Sequence, residues 1–139
     1  MLINATSKEH SLWSEEQLSA ARDFGEIVDM MLPGVSPEAD EAEVDRIAFL
    51  VVRRISGKLG NAGADRSENE TGEELSGETK NGVLCQGDFT LVYRVVELLK
   101  KEGITVMAPT YKRVTKPTLR PDGTTIPGFT FSFVRFREY

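Results

Sequence analysis

Val83-Leu84-Cys85-Gln86-Gly87-Asp88-Phe89-Thr90 is the stretch on which the reading of the fold turns. It reads as a short buried strand, a tight polar turn and the first turn of a helix. Downstream, Leu91, Val92, Val95, Val96, Leu98 and Leu99 give that helix, Phe89 to Glu102, a wide apolar face. A strand running straight into such a helix is a βα unit. In an open parallel sheet its turn lies on the carboxyl edge, where ligands bind. The first N–H groups of the helix are unpaired and its dipole makes that end partly positive. Asp88 is equally an ordinary N-cap residue, and both readings stand at this point.

Working outward, Gly103 stops the helix and Ile104-Thr105-Val106-Met107-Ala108 reads as a fourth strand ending at Pro109. Residues 113–119 and 129–139 flank Arg120-Pro121-Asp122-Gly123, a turn signal, and predict a terminal antiparallel hairpin. Phe129, Phe131 and Phe133 alternate, then Val134 and Phe136 take the opposite phase. A bulge or burial on both faces explains the change. Without a bulge, Arg135, Arg137 and Tyr139 share the face of those phenylalanines.

Upstream, Leu2 to Thr6 reads as strand one and Glu26 to Leu32 as strand two, closed by Pro33-Gly34. Between them, Ser14 and Gln17 form a capping box, with Trp13 and Leu18 at hydrophobic-staple positions and Gly25 at the helix end. Asp40 and Glu43 suggest a second capping box. Val44, Ile47, Ala48, Val51, Ile55 and Leu59 then make a helical stripe. Residues 57–80 hold six acidic residues and five glycines and no aromatic, which predicts a flexible insertion.

The order βαβαβαβ plus a hairpin predicts one α/β domain over residues 1–139: a mainly parallel sheet with right-handed crossovers and flanking helices. The single cysteine, Cys85, is expected as a buried small side chain, and no internal disulfide is available, which fits a reducing compartment. One histidine rules out the usual Cys/His zinc sites. No run approaches the roughly 18 apolar residues of a membrane span, and Met1-Leu2-Ile3-Asn4 lacks a signal-peptide pattern, so the expectation is cytoplasmic. Net charge is −5, against bulk duplex DNA binding. Residues 1–80 carry 8 Lys+Arg and 17 Asp+Glu, whereas residues 81–139 carry 9 and 5, leaving a local basic surface in the second half.

That topology puts three polar clusters on one sheet edge: Thr6, Ser7, Lys8 and His10; Gln86, Gly87, Asp88, Phe89 and Thr90; and Thr110, Tyr111, Lys112 and Arg113. The types suit a phosphate or nucleotide. Thr6, Ser7, Gln86, Gly87, Phe89, Thr90, Thr110 and Tyr111 are the candidate ligand-binding residues. Gln86, at a strand end expected to be buried, needs a polar partner. His10, the only histidine, and Asp88 are the candidates for proton transfer, and Lys112 and Arg113 for countercharge. G-x-G-x-x-G, Walker A and G-x-S-x-G motifs are absent.

Gln86-Gly87-Asp88-Phe89-Thr90, Ala108-Pro109-Thr110-Tyr111-Lys112-Arg113 and the ending Phe131 to Tyr139 (FSFVRFREY) together resemble the small CRISPR-associated accessory proteins of type III systems, whose Rossmann-like domain is related to the CARF fold. The resemblance is best over residues 83–139. It implies binding of a cyclic oligoadenylate second messenger at a homodimer interface. Some members cleave the ring without a metal or cofactor (ring nucleases, ending the antiviral signal), and others only bind it. Two further readings remain open: an enzyme acting on another small phosphorylated ligand, and a non-enzymatic module whose basic hairpin, Lys112, Arg113, Lys116 and Arg120, contacts a protein or RNA strand.

Overall fold

The computed structural model describes residues 1–64 and 80–139. It is mixed α/β. Five strands, β1 (Leu2–Ala5), β2 (Ile27–Asp29), β3 (Gly82–Cys85), β4 (Val106–Thr115) and β7 (Phe129–Glu138), form one sheet in the order β2-β1-β3-β4-β7. The first four are parallel and β7 runs antiparallel on the edge. A separate two-stranded antiparallel sheet, β5 (Thr118–Leu119) and β6 (Thr125–Ile126), caps the β4–β7 ribbon. Among the described residues, three α-helices, α1 (Glu15–Ala21), α2 (Glu41–Ala64) and α3 (Phe89–Lys101), lie between successive parallel strands. None of the described helices is long and apolar enough to cross a membrane.

Strand alternation splits the core in two. Ile3, Ala5, Val83 and Cys85 face α2 and α3, whereas Leu2, Leu84 and Met107 face α1 with Trp13, Leu18 and Phe24. The helix starts follow their local chemistry. The Ser14 hydroxyl accepts the Gln17 N–H at 3.3 Å, and Asp40 Oδ1 accepts that of Glu43 at 2.8 Å. The 3-10 turn after α1 closes at Gly25, whose φ of 79° is the left-handed region that glycine adopts freely. The wide apolar face of α3 is covered by the sheet and by α2 of the same chain, with Leu91, Val95 and Leu99 fully buried.

Four expectations are corrected. Residues 57–64 continue α2 rather than opening an insertion, and residues 65–79 lie outside the described residues. Gly57 and Gly60 each cost the helix about 1 kcal/mol, but Ile55 and Leu59 are buried and hold those turns. Strand two is only Ile27–Asp29, because β1, its one neighbour among the described residues, ends at Ala5. Strand four does not stop at Pro109. It runs on to Thr115, so the hairpin's first arm is β4 itself, and its pairing with β3 ends at Met107, two residues before the proline. Gln86 is exposed rather than buried at its strand end, so its amide needs no protein partner.

The phase change in β7 is a bulge. Thr110 pairs with Arg135 but Tyr111 with Phe133, which leaves Val134 as the extra residue. Phe133 and Phe136 therefore share the α1 face, with ring centroids 5.1 Å apart, and Trp13 packs on Phe136 at 6.4 Å. Arg135 and Arg137 point to the other face, opposite to the arrangement expected without a bulge. At the far end, the Lys116 N–H donates to the Gly128 carbonyl at 2.8 Å. A Cβ on Gly128 would stand 2.8 Å from the Lys116 carbonyl, so only glycine permits this closure.

Candidate functional site

β1 pairs with β2 on one side and β3 on the other, and the chain visits them in the order β1, β2, β3. The direction of winding reverses beside β1, and the loops after β1 and β3 diverge there to opposite faces. Such a switch point opens a crevice at the carboxyl edge.

The structure fills this edge with a hydrogen-bonded network. Register places Asn4 of β1 directly beside Asp29 of β2. Asn4 is fully buried, and its Nδ2 donates to Asp29 Oδ1 at 2.6 Å and to the Lys8 carbonyl at 2.8 Å. Its Oδ1 accepts from the Thr6 hydroxyl at 2.8 Å. Asp29 in turn holds His10, accepting from its backbone N–H at 3.1 Å and contacting Nδ1 through Oδ2 at 2.8 Å. A carboxylate at Nδ1 selects the Nδ1–H tautomer of the neutral ring and leaves Nε2 as the free base. The ring also lies edge-on to Trp13 at 6.3 Å, which fixes its plane. Burial pushes the Asp29 carboxyl up, but the hydrogen bonds from Asn4 and His10 outweigh this and hold it below the ordinary carboxylate range.

The loops after β1 and β3 and the segment after β2 enclose a cavity of about 310 Å³, lined by Ser7, Met31, Leu32, Pro33, Gly34, Gln86, Gly87 and Asp88; Asn4, His10 and Asp29 are not among its lining residues. A larger groove of about 510 Å³ lies between the segment after β2 and α2, and Asp29 and Arg54 are its charged lining residues. Gly87 is tight, since a Cβ there would lie 3.3 Å from Leu32 Cδ1.

The structure separates the sequence candidates by role. Ser7, Gln86, Gly87 and Asp88 share the cavity wall. Thr6 is buried and bonded within the Asn4 network. Asp88 caps α3: its Oδ1 accepts from the N–H groups of Thr90 at 2.9 Å and Leu91 at 3.1 Å, and from the Thr90 hydroxyl at 2.6 Å. These bonds, the Thr90 hydroxyl first, lower the Asp88 carboxyl below its usual value. The anion place at the head of α3 is thus occupied by the protein's own carboxylate, and the Thr90 hydroxyl is spent on it. Phe89 is 91% exposed and touches neither cavity.

The third cluster stands on the ribbon. The Thr110 hydroxyl donates to the Arg135 carbonyl at 2.9 Å. The Tyr111 hydroxyl donates to Gln17 Oε1 at 3.2 Å, and burial raises its phenol. Arg113 stacks on Phe129, 3.7 Å from the ring centroid, and Lys112 is exposed opposite Ser132. None of the four lines the cavity.

Sequence reasoning missed Asn4 and Asp29. The available signal was a polar residue in the penultimate position of an otherwise apolar strand, which must find a partner when buried. Among the described residues no group of three or more His, Cys, Asp or Glu side chains is placed to hold a metal ion.

A family model described as "Uncharacterized protein MJ1673 family" matches residues 64–137, and the chain belongs to that family. The matched span carries the cavity wall from Gln86 to Asp88, α3 and the ribbon, while Asn4, His10 and Asp29 lie outside it. No curated protein and no solved structure matches the chain.

Proposed function

We propose that the protein binds a cyclic oligoadenylate at the carboxyl edge of a Rossmann-like sheet and opens the ring without a metal, with His10 as the base. The observation that carries this reading is the His10–Asp29 pair, anchored by buried Asn4, on the carboxyl edge that also holds the 310 Å³ cavity. The strand order and the division of the helices between the two faces support the Rossmann-like assignment.

The chemistry follows from the groups present. His10 Nε2 takes the proton of a ribose 2′-hydroxyl, whose oxygen attacks the adjacent phosphorus. The 5′-oxygen leaves and takes up a proton, giving a linear strand with a 2′,3′-cyclic phosphate. Asp29 is the positioning residue that orients the imidazole and stabilises its cation. Asp88, lowered and committed to its cap, is unsuited to proton transfer. The cavity is of a size for one nucleotide unit, near the lower end of ligand pockets. A ring of four or six units then spans two copies, and a two-fold homodimer presents each loop twice to a symmetric ligand.

The test is incubation with cyclic tetra- and hexa-adenylate in excess chelator. Linear product is expected from the wild type, with loss of product but retained binding in His10→Ala. Neither a binding shift nor a linear product from the wild type would overturn the reading.

A further inference from the structure

The outer side of α3 and the adjoining face of the β4–β7 ribbon carry features that the carboxyl-edge site does not use. Phe89 and Tyr93 are 91% and 68% exposed, the two most exposed aromatics on any described helix. They are one turn apart, so their rings are displaced by about 6 Å along one stripe. Lys100 belongs to the same stripe, and its ammonium donates to the Tyr139 carbonyl at 2.5 Å. The stripe therefore looks toward β7 rather than toward α2, which Arg94 engages through Asp45 on the opposite flank.

The bulge at Val134 sets what β7 shows to this side. Phe136 turns to Trp13, so Arg135 and Arg137 turn the other way, about 7 Å apart along the strand. Lys112 joins them from β4. All three are exposed, and among the described residues none of their side chains makes an ion pair or a hydrogen bond. The residues that alternate onto this ribbon face, Thr110, Lys112, Val114, Thr130, Ser132, Arg135 and Arg137, include no carboxylate.

We infer that this trough binds a linear single-stranded oligonucleotide, with Arg135, Arg137 and Lys112 on its phosphates and Phe89 and Tyr93 stacked on its bases. Two aromatic platforms facing a row of unpaired cations are the combination that single strands use, because every base has a π-face and every linkage a charge. Charge complementarity chooses this occupant over an apolar protein surface, which would leave three cations buried without partners. Three cations on an otherwise acidic chain are too few to hold a duplex. The inference is independent of the cyclic ligand and of His10.

The experiment is fluorescence anisotropy with labelled decauridylate and deca-adenylate RNA and with a duplex of the same length. Single strands are expected to bind at 50 mM salt, with affinity falling roughly 20-fold at 200 mM for three neutralised phosphates. The duplex should bind at least about tenfold more weakly. The double variant Arg135→Glu/Arg137→Glu should lose at least about tenfold and flatten the salt dependence. Phe89→Ala/Tyr93→Ala should weaken binding by at least about 30-fold at unchanged salt slope. Arg53→Glu, at an exposed position on α2, should bind as wild type. All of the substituted trough residues are exposed, so the variants are expected to fold. Absence of wild-type binding at 50 mM salt, or wild-type affinity in both double variants, overturns the inference. So does a dimer that Phe89→Asp dissociates with no oligonucleotide bound, since the trough would then be a self-interface.

Discussion

Replacing Asn4 by leucine tests whether the carboxyl edge is held by the network described above. Leucine is nearly isosteric, and the site is fully buried, so the change removes polar atoms without opening a large cavity. Three hydrogen bonds go. The bonds to the Lys8 carbonyl and from the Thr6 hydroxyl are worth about 1 kcal/mol each, and the bond to the Asp29 carboxylate about 1.5–3 kcal/mol. Burial of the leucine side chain returns about 1.5–3 kcal/mol. Thr6 keeps the Lys8 carbonyl as a partner, so no buried group is left wholly unpaired. The net loss is about 2 kcal/mol, which for a chain of this size lowers Tm by roughly 6–10 °C. Asn4→Asp differs in kind. It sets a second carboxylate against Asp29 and destabilises most at neutral pH, with partial recovery toward about pH 5 as the pair takes up a proton. The wild type runs the other way. The Asp29 carboxyl is lowered on folding, so its contribution is present above the unfolded carboxylate range of about pH 4 and is lost as pH falls through the folded value. Thermal unfolding of the three proteins between pH 3 and pH 8, followed by circular dichroism, provides the assay. A Tm loss under about 2 °C for Asn4→Leu, or parallel pH profiles for wild type and Asn4→Asp, would refute the reasoning.

Two further predictions bear on the opening stretch. Asp88→Asn should keep the α3 cap and leave Tm within about 1 °C of wild type, whereas Asp88→Ala should lower it by several degrees; equal Tm values for the two would show that the side chain does not cap the helix. Burial pushes the Cys85 thiol up to about 12, so labelling by a thiol-specific disulfide reagent at pH 8 should proceed only at the rate of unfolding; a fast stoichiometric reaction in the native protein would contradict the packing of β3.

What was legible in the sequence was local. Helix starts at Ser14, Asp40 and Asp88 could be read because a capping side chain and the backbone N–H that donates to it lie within three residues of one another. The stripe from Val44 to Leu59 could be read because 3.6-residue periodicity is an internal property of a helix. Strand ends could not be read in this way. β2 is short because β1 is short, and β4 is long because β7 pairs with it past Pro109, and neither fact is written in the strand's own residues. The candidate site divides along the same line. Gln86, Gly87 and Asp88 were found because one turn carries them. The Asn4–Asp29–His10 chain escaped because only the β1–β2 register brings residues 4 and 29 side by side.

The bulge at Val134 has the widest reach of these non-local features. One extra residue lets Phe129, Phe131, Phe133 and Phe136 fall on a single face, despite a spacing that puts the last out of phase. That face extends the aromatic packing of Trp13 along the ribbon, from Phe136 through Phe133 to Tyr111. The same step delivers Arg135 and Arg137 to the opposite face. In a regular strand each arginine would have stood among the phenylalanines, where burying the ring face would mean desolvating a cation at a cost of several kcal/mol. The bulge thus allows a single ten-residue strand to close a hydrophobic core on one side and to carry unpaired positive charge on the other.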